Sequence, residues 1–294
     1  MTARGERAAL AAMVAATLLW GATFVVIRDS VTVLRPGALL FARFALAVPL
    51  FALLILVRRR APRARDLAAG ALSGALMAGG LYGQAAGLRS TSAGSSAFLT
   101  CAGTLLAAPF AWVLLRQRPS RALATGLLLA LAGSALLSLR GGLHAGPGEL
   151  LTLLGAALFA LQVVSLGRFA PGGDPLVIAA AQAATGALAL APQAGAAAAA
   201  LRALDSAGLA RVGYLAVAGS VLAPLLQILA QRRLAPGRIG LLFALEPVFA
   251  LLFAITLGGE RYVARWWLGA ALILIGVVRV EWAAAASTPR PASP

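Results

Sequence analysis

Apolar residues run along the chain in ten stretches, separated by short breaks rich in polar residues, glycine and proline: 8–27, 36–57, 67–88, 93–115, 122–139, 149–167, 175–193, 209–230, 239–257 and 264–282. Apolar runs of roughly 18 residues or more with few charges predict transmembrane helices, because about 20 residues of helix cross a ~30 Å hydrocarbon core. The seventh stretch is the weakest, since it runs into the alanine-rich segment Ala194–Ala200.

The pattern repeats. Shifting the first two stretches by 139 positions lays Leu19-Trp20 on Leu158-Phe159, Val25 on Val164, Pro36 on Pro175 and Arg43 on Gln182. Shifting the next three by 143 lays Gln84 on Gln227, Phe110 on Phe253, Arg118 on Arg261, Gly126 on Gly269 and Gly133 on Gly276. Five spans is an odd number, so the second copy enters the membrane from the opposite side. The expected fold is an all-α membrane protein of ten transmembrane helices in two inverted five-helix repeats, residues 1–142 and 143–294, the second ending in a short disordered tail from Ser287 to Pro294. Inverted repeats are an architecture of secondary transporters, with the substrate site between the halves.

Composition agrees and removes other classes. The chain is 61% hydrophobic and only 12% charged, where a soluble domain carries about 25% charged residues. A net charge of +16 suggests nucleic acid at first sight, but its arginines are mostly scattered over short loops, so no nucleic-acid partner is expected. With the N-terminus in the cytoplasm, sixteen arginines lie inside, among them the block Arg58, Arg59, Arg60, Arg63 and Arg65, and eight lie outside. The positive-inside rule therefore places both termini in the cytoplasm of a cell membrane, in a bacterium the inner membrane. Tyr262, Trp266 and Trp267 are expected at the opposite interface as an aromatic belt. Cys101 is the only cysteine and His144 the only histidine. Cys101 is expected to pack as a small buried residue, and a metal site needs several converging ligands. No metal and no cofactor are expected.

Two charges lie deep in spans. Arg43 and Glu246 each stand about seven residues from the end of their helix, roughly 10–12 Å into a ~30 Å core from opposite faces. An axial gap of about 6–10 Å remains at that rise per residue, within near reach of two long side chains or one plus a water. Charges at a helix centre cost roughly 2.5–3.5 kcal/mol on insertion scales and face a cavity or a partner. Pro247 removes a backbone donor and crowds the carbonyl of Phe243, so Glu246-Pro247 is expected to mark a break in span nine. Either Glu246 serves a substrate or proton site at that break, or it caps exposed amides or pairs with Arg43 and only shapes the helix. Gln84 and Gln227, related by the repeat, are expected in equivalent surroundings. Their amides suit polar substrate groups or bonds between helices. Trp20, Tyr82, Gln162 and Gln182 complete the candidate substrate-binding set. Glycines four apart in span three, Gly70 with Gly74 and Gly79-Gly80 with Gly83 and Gly87, predict close helix contacts.

These residues resemble the EamA family of the drug/metabolite transporter superfamily. The resemblance is carried by Ala244-Leu245-Glu246-Pro247-Val248-Phe249, Gly259-Glu260-Arg261 and the run from Leu268 to Gly276. The first half adds Leu18-Leu19-Trp20-Gly21-Ala22-Thr23-Phe24, Arg43-Phe44 and Thr91-Ser92-Ala93-Gly94. It implies ten spans, cytoplasmic termini and transport of small organic molecules, often outward, through a cavity between the repeats, with Arg43 and Glu246 as typical positions. Three departures stand out: Arg116-Gln117-Arg118 replaces the first-half Gly-Glu-Arg, Thr104 stands where proline is frequent, and Pro224 where an aromatic is frequent.

The expected function is secondary transport of a small organic metabolite, amino-acid-like, nucleoside-like or drug-like, by alternating access in the export direction. A monomer suffices, the lipid bilayer is the surrounding partner, and protons are a candidate coupling ion through Glu246. An enzyme is disfavoured, because one histidine, one cysteine and one deep carboxylate supply no catalytic constellation. The alternative is a structural or regulatory membrane protein that keeps the fold without transporting.

Overall fold

The computed structural model describes residues 3–31, 33–58, 61–87, 89–91, 93–139, 146–257, 259 and 263–286. Arg59, Arg60, Ser92, Arg140, His144, Glu260, Arg261, Tyr262, Arg290 and the tail from Ser287 lie outside them. The described residues form helices α1 (Ala3–Ser30), α2 (Pro36–Arg58), α3 (Ala64–Gly87), α4 (Ala93–Leu105), α5 (Ala107–Leu115), α6 (Arg121–Ser138) and α7 (Pro147–Phe169). There follow α8 (Pro175–Ala189), α9 (Ala194–Ala203), α10 (Ser206–Tyr214), a π-helical segment (Leu215–Leu222), α11 (Ala223–Gln231), α12 (Pro236–Phe243), α13 (Leu245–Thr256) and α14 (Ala264–Ala286).

Local chemistry sets the starts. Pro36, Pro147, Pro175 and Pro236 each open a helix, where a missing N–H and a fixed φ suit the first turn. Ser120, Asp174 and Asp205 cap α6, α8 and α10 by accepting from Leu123 N, Leu176 N and Gly208 N.

Eight of the helices or joined helices are long and apolar enough to cross a bilayer, or nine when Pro175–Ala189 and Ala191–Ala203, bent by 60°, count as one. By that measure the count falls short of the expected ten. The weak seventh stretch is the bent pair. The third is a continuous helix, α3, but its glycines together with Ser73, Tyr82 and Gln84 keep its mean hydropathy low.

Two prolines break spans one turn upstream of themselves, whereas Pro49 lies within the continuous α2. Pro247 has no N–H for Phe243 O, α12 ends at Phe243, and Ala244 N turns back to Leu241 O at 3.0 Å. The break thus falls at Ala244, and Glu246 sits in the first turn of α13 rather than at the break itself. The first half breaks too, without a proline at Thr104. Pro109 removes the donor for Leu105 O, α4 ends there, and Leu106 N bonds Gly103 O at 2.9 Å. In span eight, Ala223 N bonds Ala218 O across the π turn that precedes Pro224. Such one-turn π insertions frequently mark functional positions.

The two halves are interlocked. α3 packs on α7 and α8, α4 on α7, α2 on α8 and the π segment, α1 on α11 and α13, and α6 on α14. Glycine makes the contacts close. Gly70 and Gly74 of α3 face the backbone of Ile178 and Gln182, and Gly80 and Gly83 face Gly155 of α7. At the α6–α14 contact the approach is reciprocal: Gly126 faces Gly276 O and Gly276 faces Gly126 O, while Gly133 and Gly269 face each other's carbonyls. Without side chains there, the backbones meet directly. Trp266 is buried at 6% exposure against Trp267 at 43%, so Trp266 packs inward instead of joining an interfacial belt.

At one end Arg238 donates to Glu6 (2.5 Å) and to both carboxylate oxygens of Glu281, tying α12 to α1 and α14. Nearby, Arg58 at the end of α2 pairs with Asp174 at 3.3 Å.

Gly133→Leu is expected to destabilise the detergent-purified protein by roughly 1–3 kcal/mol, the usual cost of overpacking a tight contact. Gly195→Ala, where an added Cβ meets nothing within 4 Å, should leave thermal stability equal or higher. Similar melting curves for Gly133→Leu and the wild type would overturn the close α6–α14 contact.

Candidate functional site

The site is built around the freed backbone of span eight. At the π turn Gly219 O finds no N–H from Ala223, which bonds Ala218 O, and none from Pro224. Trp20 of α1 supplies the donor, its Nε1 lying 3.1 Å from Gly219 O. The indole also stacks on Phe243, the last residue of α12, at 5.4 Å between ring centroids. Trp20 is 8% exposed and packs at the contact between the two halves.

Arg43 of α2 enters the same region. Its Nε donates to Ser220 Oγ at 2.8 Å, its guanidinium lies against Gly219 where a Cβ would collide with it, and Phe44 lies under its Cζ at 5.9 Å. On the facing side α1 meets α13 closely, since a Cβ on Gly21 would lie 2.6 Å from Phe249 Cβ and 3.2 Å from Glu246 O. Glu246 is half-buried there. The two charges are within electrostatic reach of each other but form no ion pair within 4.0 Å. Glu246 also lies within electrostatic reach of Cys101 on α4, a buried free thiol.

Among the described residues, the terminal nitrogens of Arg43 and the carboxylate oxygens of Glu246 have no hydrogen-bond partner, yet they are absent from the sealed, unpartnered side-chain atoms, which include Asp66 Oδ2 and Ser96 Oγ. These groups therefore open onto accessible space. A guanidinium with two free nitrogens and a free carboxylate can hold an anionic and a cationic or hydrogen-bonding group of one molecule.

The amides are arranged differently. Gln162 of α7 donates to Ser73 Oγ (3.1 Å) and accepts from Gln227 Nε2 (3.2 Å), while Ser73 donates to Gln182 Oε1 (2.7 Å). Gln227 donates also to Gln231 (3.0 Å), and Gln231 Nε2 ends the chain on Val163 O (2.6 Å). Gln162, Gln182 and Gln227 are thus nearly sealed, and they bond α3, α7, α8 and α11 to one another. Gln84 and Gln227 do not share surroundings. The first-half position matching Gln162 is Thr23, whose short hydroxyl turns back to Trp20 O (2.7 Å), so Gln84 meets no amide and donates to Thr100 Oγ1 at 2.9 Å. Tyr82 is 72% exposed and stands apart from both groups.

Sequence reasoning missed Ser220, Gly219, Phe243 and Gln231. Pro224 was the available signal for the first two, because it orphans a carbonyl one turn earlier. Two pockets, of about 520 and 430 Å³, lie at the ends of helices, the larger between the halves near the Arg58–Asp174 pair. None of the candidate site residues lines either one.

The arrangement can be set beside known proteins. A solved crystal structure, 20% identical in sequence, superposes with a TM-score of 0.78 and matches over 95% of this chain and 99% of its own, a likeness of fold alone. No curated protein matches the sequence. The EamA-like transporter family profile matches twice, over residues 7–139 and 146–281. With most of the sequence covered by these two matches, the chain belongs to the EamA-like transporter family of the drug/metabolite transporter superfamily and is a multi-pass membrane protein.

Proposed function

We propose that this chain is a secondary carrier that exports a small organic molecule by alternating access, with the Arg43–Glu246 region as its central site. One observation carries the reading: Arg43 and Glu246 come from different halves, and both end in groups that have no protein partner and are not sealed by the protein. Groups so expensive in a membrane are retained where they bind or move something. Trp20 walls the site and Ser220 orients Arg43. The substrate class that fits carries an anionic group for Arg43 and a cationic or hydrogen-bonding group for Glu246, which favours amino-acid-like over nucleoside-like molecules. Protons are the coupling ion, carried by Glu246.

In this reading the halves, 1–142 and 143–294, are inverted repeats of five spans each. The α6–α14 contact supports it: an exchange of Gly126 with Gly269 and of Gly133 with Gly276 turns one glycine pair into the other. Ten spans then include α3 and the bent α8–α9 pair, and both termini face the cytoplasm of the inner membrane by the arginine distribution. No observation favours the non-transporting alternative.

Three substitutions test the site in proteoliposomes loaded with labelled amino acids, nucleosides or cationic dyes. Arg43→Ala should lower efflux of the transported class by about tenfold or more, the effect of losing a charge-assisted contact worth about 1.4 kcal/mol or more. Full activity in correctly inserted Arg43→Ala protein would remove Arg43 from the site. Glu246→Gln should abolish the response of efflux to an imposed pH gradient while substrate exchange without a gradient continues. An undiminished gradient response would exclude Glu246 as proton carrier. Gln162→Leu leaves two amides underbonded and should lower thermal stability by about 0.6–1.7 kcal/mol with transport retained; selective loss of transport at unchanged stability would place the amide chain in the substrate path.

A further inference from the structure

The pocket of about 520 Å³ at the Glu6 end shares no lining residue with the central site. It is lined by the end of α2, the start of α3, the turn between α7 and α8, and the end of α11, so both halves contribute. Among its charged residues, Arg58 and Asp174 satisfy each other at 3.3 Å, and Asp174 also caps α8. Arg63, Arg232 and Asp66 form no ion pair among the described residues.

Asp66 is the unexplained member. It is only 2% exposed, its Oδ2 is fully enclosed, and no hydrogen bond reaches it. Its other oxygen is also without a protein partner but is not sealed, so it faces the pocket it lines. Gly173 leaves room at that point, since a Cβ there would stand 3.1 Å from Asp66 Oδ1. A carboxylate in such a position requires a donor to offset its lost hydration. A simple cation is disfavoured by the two uncommitted guanidinium groups, and a simple anion by the carboxylate. The complement of two guanidiniums and one carboxylate in one pocket is a molecule bearing both an anion and an ammonium group.

We infer that this pocket is a second binding site, for a zwitterion whose anionic group is held by Arg63 and Arg232 and whose ammonium group is held by Asp66. The chemistry is shared by free amino acids and by the phosphoethanolamine headgroup of a lipid. The inference does not depend on the central site carrying substrate.

The test is isothermal titration of the whole chain in detergent, in the Arg43→Ala background, which weakens the central site. The probes are glycine and glycerophosphoethanolamine as zwitterions, glycerol 3-phosphate as an anion and ethylammonium as a cation. At least one zwitterion should bind about tenfold or more tightly than either singly charged probe. Asp66→Asn should bring the zwitterion down to the affinity of the anion, and Arg232→Gln, on an exposed side chain that leaves folding intact, should weaken zwitterion and anion alike. Equal affinity for glycerol 3-phosphate and both zwitterions, or zwitterion binding unchanged in folded Asp66→Asn and in Arg232→Gln, would overturn the site. The source is read in nanodiscs: loss of glycine binding when phosphatidylethanolamine replaces phosphatidylcholine identifies the lipid headgroup, and retained binding identifies the free amino acid.

Discussion

A carbonyl inside hydrocarbon must find a donor, and the architecture around the candidate site follows from where this chain withholds one. Pro224 leaves Gly219 O without a backbone partner, and the nearest remedy is the Trp20 indole from the other half of the sequence. That single bond fixes α1 against span eight. Phe243 stacks on the same indole just before the break caused by Pro247, so α12 is held there as well. Arg43 then rests on Gly219 and Ser220, the two residues of the same π turn. Backbone satisfaction thus shapes the surface on which Arg43 rests.

The matching positions of the two halves carry unequal chemistry on similar geometry. Arg43 reaches Ser220, and its counterpart Gln182 reaches Met77, the residue that the shift of 143 lays on Ser220. Trp20 answers to Phe159, which packs on Gly80, and Glu246 answers to Gly103, which packs on Ala156. On one side the polar groups remain open; on the other they close on themselves as a line of amides. Closed amides cross-link helices firmly, and open charges are available to a guest.

Much of the fold was legible before any coordinates. The apolar stretches mark the helices, the glycines of span three mark close contacts, and the offsets relating Gly126 to Gly269 and Gly133 to Gly276 foreshadow the α6–α14 contact. Glu246 and Arg43 stood out because charge in an apolar run is costly. What escaped was nonlocal. Nothing in the sequence distinguishes a glutamine that faces a cavity from one that faces another glutamine, and Gln162 and Gln227 belong to the second kind. The first-half break carries no proline at Thr104; Pro109, five residues later, removes the donor for Leu105. Trp266 looked interfacial by position, yet its neighbours enclose it.

The unequal halves bear on how such a chain came about. Were α1 to α6 to pair with a second copy of themselves in the same way, two guanidiniums would face two copies of Gly103, with no acid between them. Two copies of α7 to α14 would instead bring together two carboxylates and two neutral glutamines. Only the fused chain sets one positive and one negative group across the centre. The ancestral freedom to work as a symmetric dimer, if a duplication lies behind the repeat, has been surrendered at Arg43 and Glu246, and separating the gene into two would now require both products in the same membrane.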